Sequence, residues 1–317
     1  MPIRPSPTVR RRRLRYELRR LREQRGLTIE QVSDASGSDL KPSTISRWET
    51  GDRSVRPTDL RLLLDIYDIG GEQREMLLTL AREARERGWW QSYSTAVPNW
   101  FQTYVGLEAE AAAIREYDAE LVPGLLQVPN YHRAFIQAAP AVGDEEEIER
   151  RITVRATRRE RLVSDEPPEL WAVLNEAVVR RVVGSPEVMR EQLNHIADMA
   201  KLPHVSIQVL PFSAGAHPAM DGSFSILSFP EPTDPDVVYL ESKTSSLYLE
   251  EKAEVERYSQ MFNHLIAKAL DPDESRRLVA RLGADLASRL RQEEVRDDLV
   301  RPVPRQVAEE QPQQRKR

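Results

Sequence analysis

Cysteine is absent from the 317-residue sequence, which excludes disulfide scaffolds, thiolate zinc sites and cysteine nucleophiles and fits a reducing compartment. Long apolar runs are absent too. No stretch approaches the ~20 residues of a membrane span, and no hydrophobic segment follows the arginine-rich N-terminus. Neither a membrane anchor nor a secretory signal is therefore expected, and the chain reads as cytoplasmic. Lysine occurs 6 times against 40 arginines, a skew that reflects a GC-rich genome more than any chemistry. Catalytic motifs are missing: there is no HExxH, no Gly-x-Ser-x-Gly elbow, no Walker A loop and no Gly-x-Gly-x-x-Gly. Of the 5 histidines, His195 stands at i, i+3 from Asp198 without a third ligand, the spacing of a surface pair rather than a metal site. Glu176 and Glu241 fall in different elements. No catalytic, cofactor-binding or metal-binding residue is assigned, and the sequence does not read as an enzyme.

What is present is a globular composition with an uneven charge. Apolar residues make up 40% and charged residues 31%, too apolar for wholesale disorder, and the length is about twice that of a ~150-residue domain. Residues 1–64 hold 14 Arg and 1 Lys against 8 acids, a net of +7, so the other 253 residues carry −12. A basic module joined to an acidic body points to polyanion binding at one end only. A basic run such as Arg10, Arg11, Arg12 and Arg13 is by itself equally a solvated arm, so the motif has to decide.

Leu14, Leu18 and Leu21 recur at i, i+4, i+7 over residues 10–25, the stripe of an amphipathic helix. Gly26 ends it. Thr28 with Gln31 forms a capping box that opens a second, short helix whose Val32 and Ala35 are expected to face inward, closed by Gly37. A third helix spans 42–50, with Pro42 in its first turn and Ile45 and Trp48 on its apolar side, and Gly51 stops it. Helices over 58–67 and 72–87 follow. Short helix, glycine turn and short helix in a basic five-helix bundle make a helix-turn-helix.

These residues, "LREQRGLTIEQVSDASG…STISRWETGDRSVRP", resemble the XRE family of helix-turn-helix regulators, the group of the λ-type repressor and Cro. Two departures are visible: the stretch from Gly37 to Ile45 is about two residues longer than in the shortest members, and Ile29 stands where many relatives carry a DNA-contacting Gln. Further on, "EYDAELVPGLLQVPNYHRA", "LWAVLNEAVVRRVVGSPEVMREQLNHIADMA", "VSIQVLPFSAGAHPAMDGSFSILSF" and "VVYLES" resemble the large C-terminal domain of WhiJ-like actinobacterial regulators. Members of that group are antitoxin-like XRE proteins often encoded beside a small partner protein. The resemblance covers about 10–292 and implies a DNA-binding role.

The body itself reads as α+β with a small antiparallel sheet. Helical stripes cover about 106–118, 130–139, 145–163, 176–183 and 186–200. Strands are expected at 169–174, 205–210, 224–229 and 237–241, with helices gathered on one side and returning at 251–270 and 272–293. The resulting organisation is a helix-turn-helix domain over 1–88 with a basic arm over 1–13, an α+β regulatory or partner-binding domain over 89–292, and a disordered tail over 293–317.

Three features of the body stay open between packing and function. The Pro123 to Gln127 corner either tucks its leucine pair into the core or lines a groove, and the loop 213–222 around His217 has the same two readings. An arginine-rich helix carries Arg150, Arg151, Arg155, Arg158, Arg159 and Arg161, either solvated and locally paired or facing DNA flanks or an acidic partner. Leu278, Leu282, Leu286 and Leu290 recur every fourth residue, a stripe for packing on the parent domain or for a dimer.

The reading that follows is a sequence-specific DNA-binding transcriptional regulator with the helix 42–50 in the major groove. Ser43, Thr44 and Arg47, opposite Ile45 and Trp48, face base edges, Arg47 being suited to bidentate contact with guanine. Thr28, Arg53 and the Arg10 to Arg13 arm are placed for phosphates. Glu49 is expected to bond within the bundle. The partners expected are double-stranded DNA, a second copy in a homodimer, and either a small effector or a small neighbour-encoded protein sensed by the C-terminal domain. The alternative is an antitoxin-like protein that mainly neutralises that small partner and binds DNA for autoregulation.

Overall fold

In the computed structural model, which describes residues 7–86, 88–90, 98–139, 143–231 and 234–300, the leucine stripe becomes one face of α1 (Pro7–Gln24). Thr28 caps α2 (Ile29–Ala35) with the full capping box, Pro42 starts α3 (Pro42–Thr50) and Gly51 ends it in the left-handed region at φ 88°. The bundle closes with α4 (Pro57–Ile66) and α5 (Gly71–Glu83). Leu14, Leu18, Ile45, Trp48, Leu60 and Leu64 meet in one buried core.

The turn between α2 and α3 corrects one expectation. Ala35 is exposed and the inward positions are Val32, Ser33 and Ser36. The Ser36 hydroxyl donates to the Ser33 carbonyl at 2.6 Å and accepts from the Leu40 amide at 3.0 Å. The longer stretch before Ile45 is thus pinned by a buried side chain, which satisfies backbone groups that a helix end leaves open.

After α6 (Asn99–Glu108) the body is a six-stranded mixed sheet in the order β3-β2-β1-β4-β5-β6, not a small antiparallel one. Its strands are β1 (Ala113–Asp118), β2 (Glu169–Asn175), β3 (Val205–Leu210), β4 (Phe224–Ser228), β5 (Val237–Glu241) and β6 (Ser246–Leu249). The first three run parallel, β4 pairs antiparallel with β1, and β5 and β6 follow, each antiparallel to the strand before it. Residues 106–118, expected as one helix, divide into the end of α6 and β1. The alanines and glutamates there favour a helix locally, but β1 is flanked by β2 and β4, and pairing on both edges overrides that preference. With β1 read as helix, the long crossover that forces β1 and β2 parallel was invisible.

That crossover carries α7 (Pro129–Gln137) and α8 (Glu145–Glu160), and the next one α9 (Glu176–Arg180) and α10 (Pro186–Met199). Helices cover both faces of the sheet rather than one. Leu193 and Ile196 of α10 pack with Ile114, Leu170 and Leu174 on one face. Phe262 and Leu265 of α11 (Lys252–Lys268) pack with Tyr117, Val173 and Ile226 on the other. Helix α12 (Pro272–Val300) extends into the segment expected as disordered tail; residues 301–317 lie outside the described residues. Leu278 and Val279 of α12 are buried in the same core as α10, and Leu282 and Leu286 pack against it, so the stripe from Leu278 to Leu286 serves the parent domain.

Candidate nucleic-acid interface

Ile45 and Trp48 anchor α3 at 1% and 3% exposure. That rotation leaves Ser43 and Arg47 exposed and Thr44 half-buried on the opposite side. Arg47 Nε donates to the Ser43 carbonyl at 3.2 Å, laying the guanidinium along the helix toward its N-terminal turn. The backbone amide of Arg53 donates to the Arg47 carbonyl at 3.1 Å, and the Arg53 side chain is exposed just beyond the Gly51 stop. Thr28 is exposed; its hydroxyl accepts from the Gln31 amide at 3.2 Å and its own amide donates to Gln31 Oε1 at 2.8 Å. The hydroxyl proton stays available beside a positive helix N-terminus.

Glu49 is structural, as expected. Arg22 donates to it twice, Nε to Oε1 and Nη2 to Oε2, each at 2.7 Å, and donates through Nη1 to the Leu27 carbonyl at 2.9 Å. This two-pronged pair fastens α3 to α1 and to the start of α2. Nothing in the local sequence announces Arg22 as its partner, 27 positions away.

The four consecutive arginines are not a free arm. They form the first half of α1, where successive side chains point about 100° apart, so each meets a different neighbour. Arg10, 5% exposed, donates to the Glu83 carbonyl and to Glu86. Arg11 donates to the Ala84 carbonyl at 2.7 Å. Arg12, 6% exposed, donates to Glu250 at 3.0 Å and to the Pro235 carbonyl, and stacks over Phe229 at 4.9 Å. Arg13 lies 3.7 Å from Glu231. Residues 1–6 lie outside the described residues.

Helix α1 therefore belongs to both domains. Its Leu14, Leu18 and Leu21 fill the helix-turn-helix core, while Val9 is buried in the core of the body. The seam centres on Glu250, just after β6, whose Oε2 accepts from Arg12, Arg15 and Tyr16. Burial alone would push that carboxyl up, but Arg12, Tyr16 and Arg15 hold it below the usual carboxylate range. Arg15 also donates from Nη1 to the Thr50 carbonyl at 3.2 Å. A single guanidinium thus joins the C-terminal domain to the last turn of α3. Sequence reasoning missed both Glu250 and Arg15, since their meeting requires a contact across 235 positions.

In the body, the arginine-rich α8 is mostly paired. Arg150 reaches Glu146 and Arg151 reaches Glu147 one turn back. Arg158 makes a bidentate pair with Glu108 of α6 at 2.7 and 2.6 Å. Arg159 donates to the Gln127 carbonyl, and Arg161 to the carbonyls of Glu108 and Ala111. Leu125 and Leu126 of the proline-glycine corner are buried in the core at 2% and 0% exposure. His132 sits at 3.1 Å from Gln127 Oε1; burial and the nearby Arg155, Arg158 and Arg151 push it down to about 2, so it stays neutral. In the loop after β3, His217 Nε2 lies 3.4 Å from the Tyr117 hydroxyl. Glu176 accepts from the Phe212 amide at 2.6 Å, whereas Glu241 accepts from the Tyr239 hydroxyl at 2.9 Å. Their hydrogen bonds fall in separate places and assemble no joint carboxylate pair.

Among the described residues, no helix is long and apolar enough to cross a membrane. A family model described as a helix-turn-helix domain matches residues 13–77, over α1 to α5. No curated protein and no solved structure matches the chain. A second family model, described as a domain of unknown function (DUF5753), matches residues 101–281, which is more than half of the chain and takes in the whole sheet. The chain thus belongs to the DUF5753 family and carries a helix-turn-helix domain ahead of that family's domain.

Proposed function

We propose that the protein is a sequence-specific DNA-binding transcriptional regulator of XRE type, akin to the WhiJ-like actinobacterial group and working in the cytoplasm. The observation that carries this reading is the side of α3 with exposed Ser43 and Arg47 and half-buried Thr44, held outward by buried Ile45 and Trp48 and locked by the Arg22–Glu49 pair. In the major groove the N-terminal half of α3 meets base edges, while Thr28 and Arg53 meet phosphates. Arg10 and Arg12 drop out of the phosphate set because they are buried and engaged elsewhere. The C-terminal domain, joined to α3 through Glu250 and Arg15, senses an effector or a protein partner.

The test is Arg47→Ala in the full chain, measured by fluorescence anisotropy on selected cognate DNA and on random duplex. The expected loss is about 1–3 kcal/mol on the cognate site, with relaxed preference at one base position. An equal loss on both duplexes makes Arg47 a phosphate clamp instead. Helix-turn-helix regulators commonly read two half-sites as two-fold dimers, and the full chain is expected to sediment as a homodimer. Leu278, Leu282 and Leu286 of α12 pack on their own domain, which favours another surface of the body for the dimer; a monomeric mass at micromolar concentration refutes the dimer.

A second reading, an antitoxin-like protein that neutralises a small neighbour-encoded partner, is favoured by Phe212 and Met220. Both lie in the loop region after β3 at 60% and 70% exposure, more apolar surface than a solvent loop needs. Co-purification of that partner with the full chain, lost in a Phe212→Ser, Met220→Ser variant, supports this reading; equal recovery with the variant removes it.

A further inference from the structure

Under α6 and α8, on the sheet face that carries Ile114, the body holds a group of charged side chains that its own hydrogen bonds leave incomplete. Glu116 of β1 is 5% exposed and its Oε1 has no partner. Asp118, two positions on and therefore on the same face, is half-buried, and Glu241 at the end of β5 is exposed. These three carboxyls run from the interior of the sheet toward the surface. Across from them Arg155 of α8 makes no hydrogen bond or ion pair with any described residue. Its Nη1 would lie 2.7 Å from a Cβ placed on Gly124, and Arg158 Nη2 would lie 3.1 Å from that atom. A side chain at residue 124 would have to displace the tips of these guanidinium groups.

The walls are aromatic. Phe101 and Tyr104 of α6 stack at 5.3 Å, Tyr104 meets Tyr239 of β5 at 4.2 Å, and Tyr239 meets Tyr248 of β6 at 5.2 Å. Arg158 lies over Phe101 and Tyr104 at 5.0 and 5.5 Å, its charge already matched by Glu108. With that pair set aside, three carboxyls face one guanidinium.

We propose that this cluster is the binding site of a small amino compound of amino-acid type, with its ammonium group between Glu116 and Asp118 and its carboxylate on Arg155. The proposal rests on reading the C-terminal domain as the sensing half of the regulator. Buried polar groups without partners are costly to folding and gather at functional sites. Burial, with Asp118 and Glu108 nearby, pushes Glu116 well above the usual carboxylate range. Burial and Glu241 push Asp118 up to about 7, and burial with Arg158 pushes Arg155 down to about 10. Both signs of charge are thus disfavoured in the unliganded cluster, and a ligand carrying both relieves both. The aromatic walls favour an organic cation.

The position fits a sensor. Helix α6, one wall, approaches α1 at Gly106, where an added Cβ would strike the Thr8 side chain. Strand β6, which brings Tyr248, runs straight into Glu250, the carboxylate that holds Arg12 and Arg15 of α1. Two elements bordering the cluster are therefore the ones that grip the DNA-binding module.

The experiment is calorimetric titration of the full chain, without DNA, against individual free amino acids, amines lacking a carboxylate (ethanolamine, putrescine) and carboxylates lacking an amine (propionate, succinate). At least one amino acid is expected to bind. Its affinity should fall by about tenfold or more in Glu116→Gln and in Arg155→Lys, and the probes carrying only one sign of charge should bind weaker by a similar factor. Without ligand, Glu116→Gln should raise the melting temperature, because a residue kept for binding is strained in the empty site. The proposal is overturned if no amino acid binds, if the two variants bind as tightly as the parent, or if the probes carrying only one sign of charge match the amino acids. A fall in melting temperature for Glu116→Gln also overturns it, by making Glu116 a structural group. DNA is absent from this titration, so its failure leaves the Arg47 result standing, and the reverse holds too.

Discussion

Arg158→Ala is expected to destabilise the protein by about 3–5 kcal/mol, the range for removing one partner of a buried ion pair and leaving the other charged and unmatched. The pair qualifies because the Arg158 and Glu108 side chains are only 4% and 3% exposed and meet through two hydrogen bonds. Arg158 also covers two rings of α6, so its loss opens space beside Tyr104 as well as stranding a carboxylate. Urea unfolding of the variant measures this directly. A second variant, Arg158→Met with Glu108→Met, separates the two causes. It should recover most of the loss, since exchanging a buried pair for apolar side chains of similar volume is often neutral or better. A loss below about 1 kcal/mol in Arg158→Ala would mean that the pair is solvated and that α6 is held by packing alone.

Glu250→Ala is expected to have the other large effect, of about 3 kcal/mol. That is the lower end of the same range, because the Glu250 side chain retains 19% exposure. Its removal leaves Arg12, 6% exposed, with the Pro235 carbonyl and the Phe229 and Tyr16 rings but no carboxylate, and frees Arg15 and Tyr16 from the body. The loss falls on the seam, not on either core: Leu14, Leu18 and Leu21 keep their own partners in the helix-turn-helix bundle. Scanning calorimetry should therefore show one cooperative transition in the parent chain dividing into two in the variant. An undivided transition at an unchanged temperature would show that the remaining contacts of α1, through Val9, α6, Pro235, Phe229 and Glu231, hold the domains together without Glu250. Glu250→Gln keeps the volume and one acceptor, and is expected to fall between the two.

The helix-turn-helix was legible because its cues are local. Thr28 with Gln31, Pro42, Gly51 and the spacing of Leu14, Leu18 and Leu21 each act within a turn or two, and each stands where its residue type predicts. The outward side of α3 follows from the same periodicity, since burying Ile45 and Trp48 leaves only one way for Arg47 to face. Strands β2 to β5 were legible for a related reason, a run of alternating or branched apolar residues between turn signals.

Other features depended on distant partners. Strand β1 reads as helix until β2 and β4 are placed on its edges. The stretch Arg10 to Arg13 reads as an arm for phosphates until the helix carries its members apart toward Ala84, Glu231 and Glu250. Charge in a sequence has sign and place but no direction, and an arginine is available to DNA only if nothing closer takes its donors. By itself the sequence determined the five-helix module, the face of α3 that points outward, and the sign of charge in each half. The tertiary structure alone decided which arginines remain free, how α1 came to be shared by both domains, and that Glu116 is buried with its Oε1 left without a partner. Local spacing fixes periodic faces, whereas pairing of buried charges needs contacts that only the folded chain makes.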